Sequence, residues 1–182
     1  MPFQLPADKS VNFGPETLLE RATLAARIGQ IANAWNIFEH HFAHTYAFLA
    51  AKQEGGVPRP ATAIFNSRPA LQVFETLDSF RSKHDLFVLS LRATVDGKAP
   101  TIIEFYESSV APRIEIARQA RNKVVRAVWG NCHDYPDGIV FKPLLGQSEV
   151  YLEGDLKDEL VKIVEASDAF EALRSKLFAF FG

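Results

Sequence analysis

The sequence predicts an all-α, mainly helical protein: an antiparallel helix bundle with a small β-hairpin before the last helix. Apolar residues recur at three- and four-residue spacing through four long stretches, the period that lines up one side of an α-helix. Gly- and Pro-rich turn signals fall between those stretches. Only residues 138–153 change character, with Ile139-Val140-Phe141 and Val150-Tyr151-Leu152 flanking Pro143, Gly146 and Ser148, the pattern of a short hairpin.

Residues 1–14 hold two Pro and one Gly without periodicity and read as an arm. Pro15 suits the first turn of a helix, where its missing N–H costs nothing. From there to about Ala51, Leu24, Ile28, Ile31, Trp35, Phe38, Phe42 and Leu49 keep helical spacing. A helix of that length would run about 55 Å at ~1.5 Å per residue, long enough to kink, with Gly29 the weak point. Gln53–Pro60 forms a loop, and a second helical region covers about 61–94. It is interrupted near Asn66-Ser67-Arg68-Pro69 and restarts from a Ser67 cap into the series Leu71, Phe74, Leu77, Phe80.

Asp96–Pro100 marks the next turn. A third helix follows from about 101 to 129 on Ile102, Phe105, Tyr106, Val110, Ile114, Ala117, Val124 and Val128, stopped by Gly130-Asn131. Asp155, with Asp158 three residues on, caps a last helix reaching Phe181. Its stripe is Leu156, Leu160, Ile163, Val164, Phe170, Leu173, Leu177 and Phe180. The whole of 1–182 reads as a single domain.

Composition narrows the function classes. A net charge of -2 gives no global attraction to nucleic acid or anionic membrane, so any such attraction is local. The lone Cys132 excludes an intramolecular disulfide and a thiolate metal cluster. With no secretory leader, no membrane-length apolar run and no Asn-x-Ser/Thr sequon, the expected location is the cytoplasm, without membrane attachment. There is no Gly-x-Gly-x-x-Gly, no Walker-type phosphate loop and no Gly-x-Ser-x-Gly, so neither P-loop hydrolysis nor serine esterase chemistry is expected.

Charge concentrates in one place. Residues 111–126 carry Arg113, Arg118, Arg121, Lys123 and Arg126 against Glu115 alone. At about 100° per residue Arg118, Asn122 and Arg126 share a stripe, with Arg121 beside it. Forked guanidinium groups match phosphate oxygens, which makes Arg118, Arg121, Lys123 and Arg126 candidate phosphate or RNA contacts. The competing explanation is structural: basic residues late in a helix complement its dipole and pair with nearby acids.

The run Arg121-Asn122-Lys123-Val124-Val125-Arg126-Ala127-Val128-Trp129-Gly130 resembles the signature of the HEPN superfamily (higher eukaryotes and prokaryotes nucleotide-binding). The order of elements is also similar, as is the Trp35-x-x-x-Glu39 pattern in the first long helix, and the likeness spans most of the chain. The ribonuclease members, found among toxin–antitoxin and phage-defence proteins, pair two motif helices across a homodimer axis and cut RNA without metal or other cofactor. The resemblance implies that Arg121 holds the scissile phosphate and Asn122 supports it, with Trp35 and Glu39 as supporting residues.

Arg126 stands where those enzymes carry a catalytic His. A general acid–base needs a pKa near the working pH, and a guanidinium stays protonated. Three readings follow: a non-catalytic binding branch, an inactivated form of an active enzyme, or His133 acting from another direction. The expected function is therefore RNA-directed, with catalysis impaired or lost at Arg126. The alternative is a non-catalytic dimeric scaffold that binds a cognate protein partner or antitoxin and buries an Arg126–Glu39 pair.

His40 and His44 have the i,i+4 spacing of helical metal ligands, but Cys132 or Asp134 would have to supply a third ligand, so surface or packing roles are expected and no metal. His84 reads as a solvated position. Glu39 is expected to face Arg121 or Arg126.

Overall fold

The computed structural model describes residues 1–14, 16–53, 68–95, 97–143 and 145–182. Its helices are α1 (Thr17–Glu20), α2 (Ala22–Gln53), α3 (Arg68–Glu75), α4 (Phe80–Val95), α5 (Pro100–Phe105), α6 (Ala111–Val125) and α7 (Glu153–Phe181). A π-helical turn, Tyr106–Val110, joins α5 to α6, and the strands are β1 (Phe3–Gln4), β2 (Val128–Gly130), β3 (Ile139–Lys142) and β4 (Glu149–Tyr151). The protein is mainly helical with one small sheet, as the periodicity predicts. The expected helix start at Pro15, the loop after Gln53, the Ser67 cap and Asp96 lie outside the described residues. No helix among the described residues is long and apolar enough to cross a membrane.

The chain groups into two compact units, Met1–Asn36 with Arg113–Ser167, and Ile37–Pro112 with Asp168–Gly182. Each unit draws on two separated stretches, a division that leaves no linker in the sequence.

The first unit holds the sheet, antiparallel throughout in the order β1-β4-β3-β2. The expected hairpin is β3–β4, with Val140 opposite Val150. Two further strands flank it, and both correct the sequence reading. Residues 1–14 are not a free arm: Phe3 pairs with Val150, and Leu5 N–H donates to Ser148 at 2.8 Å. At the opposite edge Asn12 and Asn131 exchange backbone hydrogen bonds of 2.8 and 2.9 Å. Between those contacts Leu5 and Val11 pack on Cys132, Val140 and Val150. One short segment thus pairs with β4 and, through Asn12, with the chain just after β2, where unpaired donors and acceptors would otherwise face water.

The second correction concerns the motif helix. It ends at Val125 rather than running to 129, and Val128–Gly130 form β2. Trp129 explains the stop. Its indole Nε1 donates to the Val124 carbonyl at 3.1 Å, capturing an acceptor that the ended helix leaves open. Gly130 is then needed for close approach, because a Cβ there would lie 2.5 Å from Val11 Cγ1 and 2.6 Å from Phe13 Cε1.

The long first helix breaks at Arg21 (φ -123°, ψ 52°), whose Nε donates to the Gly138 carbonyl, and not at Gly29, which sits undisturbed in α2. Asp155 is not the first cap of α7. It lies in the first turn, and its carboxylate accepts from the Leu152 N–H at 2.8 Å, the reach-back half of a capping box.

The second unit is built on rings. Phe38, Phe42, Phe74, Phe87 and Phe170 are all buried, with Phe42 centred 4.4 Å from Phe87 and 5.1 Å from Phe170. The α3–α4 region breaks after Glu75, and Ser79 Oγ accepts from Ser82 N–H at 3.0 Å, so the cap lies where the sequence reading kept the helix continuous through Leu77 and Phe80.

The π turn has a sequence cause. Ile102, Tyr106, Val110 and Ile114 are buried at four-residue spacing, which drifts about 40° per step in an α-helix and stays on one side only if the helix underwinds. Pro112 lacks the N–H that would close the preceding α turn. On α7, Leu156, Ile163, Phe170, Leu173 and Leu177 are buried as expected, whereas Val164 (46%) and Phe180 (38%) stay exposed.

Candidate functional site

The basic stretch of α6 divides by what each side chain touches. Arg118 is held by Glu115 one turn back, Nε to Oε2 at 2.8 Å and Nη2 to Oε1 at 2.6 Å, so the structural explanation applies to it. Arg121, half-buried, donates from Nη1 to Asn122 Oδ1 at 3.0 Å. That bond occupies the amide oxygen of Asn122. Lys123 Nζ lies 3.2 Å from Glu149 Oε2 on β4 and 5.1 Å from the centre of the Tyr151 ring. Burial works to lower the Lys123 ammonium, and the adjoining Tyr151 hydroxyl and Glu149 carboxylate outweigh it, leaving it raised. Burial in turn pushes the Tyr151 hydroxyl up to about 12, so it stays protonated at neutral pH. Arg126 follows α6 directly, is exposed, and makes no ion pair or side-chain hydrogen bond among the described residues.

Asn122, Lys123 and Arg126 converge on a groove of about 370 Å³ whose other lining comes from the sheet: Val128, Phe141, Lys142 and Pro143. Phe141 sits opposite Trp129, and Lys142 opposite Val128, in the β2–β3 register. That register delivers a further cation, Lys142, which lies over the Phe13 ring at 5.0 Å. Among the described residues no Asp or Glu lines the groove. Three cations, an amide and an apolar wall therefore share one small concavity.

Sequence reasoning found the helical half and missed Phe141, Lys142 and Pro143. Ile139-Val140-Phe141 reads as a strand, but its partner Val128–Gly130 continues the helical spacing of Val124, so no local pattern sets Phe141 beside Arg126.

A larger cavity of about 690 Å³ in the same unit is lined by Glu20, Arg21, Asp137 and Glu153 among others. Three of these four are already engaged: Asn131 Nδ2 donates to Glu20, Arg21 to the Gly138 carbonyl, and Arg27 to Glu153 at 2.9 Å.

The remaining expected residues lie elsewhere. Trp35 is buried in the first unit's share of α2. Glu39 belongs to the second unit, where Lys83 Nζ meets its carboxylate at 2.6 Å. Arg126 is exposed, where the scaffold reading expects it buried. His133 is exposed in a turn and does not line the groove. His40 and His44 rings meet at 4.3 Å, while Cys132 is buried in the sheet of the other unit. Among the described residues no group of three His, Cys, Asp or Glu side chains is placed to hold a metal ion. His84 is not simply solvated, since its Nε2 lies 2.6 Å from the buried Tyr106 hydroxyl.

No family model, curated protein or solved structure matches the chain.

Proposed function

We propose that this is an RNA-directed protein of HEPN-like type, acting as a homodimer, whose groove binds phosphate and whose metal-independent cleavage chemistry is impaired or lost at Arg126. The observation that carries the reading is the convergence of Asn122, Lys123 and Arg126 with Lys142 on one groove that no described acid lines. Lys123 is met by Glu149, but Arg126 and Lys142 repel one another there, and a polyanionic ligand relieves that repulsion. Arg121 holds Asn122 in place and Arg126 reaches solvent, so both guanidinium groups act by position and charge. Neither group can pass a proton to or from a ribose hydroxyl at neutral pH.

The test is incubation with total RNA or tRNA in chelator. The natural protein binds RNA without cutting it. The Arg126→His variant gains cleavage, on the scale of the roughly 10²–10⁴-fold that a placed acid–base contributes, and Arg121→Ala abolishes it. If neither form binds or cuts RNA, the reading fails.

A second reading, a non-catalytic dimeric scaffold for a protein partner such as an antitoxin, is favoured by Val161 and Val164. They lie three residues apart on α7 and are 51% and 46% exposed. Light scattering separates it from an isolated chain: a monomer at high concentration counts against both homodimer readings.

A further inference from the structure

The groove has two walls of different chemistry, and a phosphate uses only one of them. Arg126 and Lys142 supply charge, while Phe141, Pro143 and Val128, itself 54% exposed, supply an apolar surface beside it. We infer that this apolar wall is a base subsite: an unpaired nucleotide of a single RNA strand lays its base against Phe141 and Pro143 while its phosphate meets Arg126 and Lys142. The inference rests on the RNA-directed reading and names the part of the RNA that the groove takes.

The volume of about 370 Å³ falls at the lower end of small-ligand sites, which run about 300–1,000 Å³. The Phe141 ring is backed by Trp129 at 5.8 Å and Tyr151 at 6.0 Å, so it is a fixed surface that needs little ordering when a ligand arrives. Asn122 and Lys123 sit in the last turn of α6, whose open carbonyls repel an anion placed on the helix axis. That field favours the phosphate at the Arg126–Lys142 rim and leaves the apolar interior to an uncharged ring. A duplex keeps its bases stacked inside and offers this wall nothing, whereas an unpaired strand offers ring faces that stack on aromatic side chains.

Fluorescence anisotropy with a short unpaired RNA, an abasic strand of equal phosphate count and a duplex tests this. The natural protein should bind the unpaired strand about tenfold tighter than the abasic one, the scale of one stacked base. Phe141→Leu should erase that preference and leave the salt dependence unchanged. Arg126→Gln with Lys142→Gln should weaken both strands and lower the salt slope by about 0.7 per charge removed. Val128→Glu changes only an exposed side chain and should also weaken the unpaired strand, so the test stands even if Phe141→Leu folds poorly. Equal binding of normal and abasic strands overturns the base subsite and leaves the phosphate reading intact. A preference that survives both Phe141→Leu and Val128→Glu overturns its location. Absence of binding to every RNA overturns both readings.

Discussion

The two compact units use their rings differently. In the unit of Ile37–Pro112 with Asp168–Gly182, five Phe rings (Phe38, Phe42, Phe74, Phe87 and Phe170) are buried against one another. Cations there meet acids: Lys83 with Glu39, Arg92 with Glu107, Arg174 with Glu171. In the unit of Met1–Asn36 with Arg113–Ser167, Trp129, Phe141 and Tyr151 form a smaller ring cluster against the sheet. Beside it Arg126 and Lys142 face a groove with no acid in its lining. The lesson is about where charge is left uncompensated. Ring packing and closed pairs hold a core together, whereas Arg126 and Lys142, with no ion pair among the described residues, point to a ligand.

The comparison breaks most sharply at the ring cluster. Phe42→Ala removes the ring that contacts Phe38, Phe74, Phe87 and Phe170, and should cost about 3–5 kcal/mol in urea denaturation. A loss under about 1 kcal/mol would mean that these rings are not the core of their unit.

A middle-sized effect tests the groove's inner wall. Lys123→Met keeps the aliphatic stem and strips the charge facing Glu149 and Tyr151. With the Lys123 and Glu149 side chains still 37% and 33% exposed, water replaces part of the lost contact, so the expected cost is about 1 kcal/mol. Increased stability would instead show that desolvation outweighs this pair.

The smallest effect is a pH dependence in the ring-built unit. Burial, then the neighbouring His40, Arg174 and His41, hold the His44 imidazole below its usual 6.5, with Glu75 opposing them. The unfolded chain therefore takes up the proton first. Stability is full above about pH 6.5 and declines as pH falls through that value toward the lower folded pKa. Denaturation midpoints at pH 7.5 and 5.5 should differ less in His44→Gln than in the natural protein. An unchanged difference would assign the acid sensitivity to other groups.

Much of the helical architecture is legible in the sequence because burial on a helix repeats at a fixed local period. Leu24, Ile31, Trp35, Phe38, Phe42 and Leu49 on α2 are all buried, as their spacing predicts. Even the π turn leaves a local trace in the four-residue spacing and Pro112. Two errors fall where a distant partner decides. Phe3–Gln4 is too short to show a strand period, and only β4 makes it one. Val128 continues the helical spacing of Val124, but Trp129 caps Val124 and β3 draws Val128–Gly130 into the sheet.

The sequence by itself determined the helical class, the hairpin, and a basic stretch ending in Arg126. Those properties reside in local spacing and side-chain chemistry. Tertiary structure decided which cations remain open: Glu149 meets Lys123, and the β2–β3 register sets Phe141 and Lys142 beside Arg126. Pairing across a sheet and between charges depends on residues far apart in sequence, and no local period records that distance.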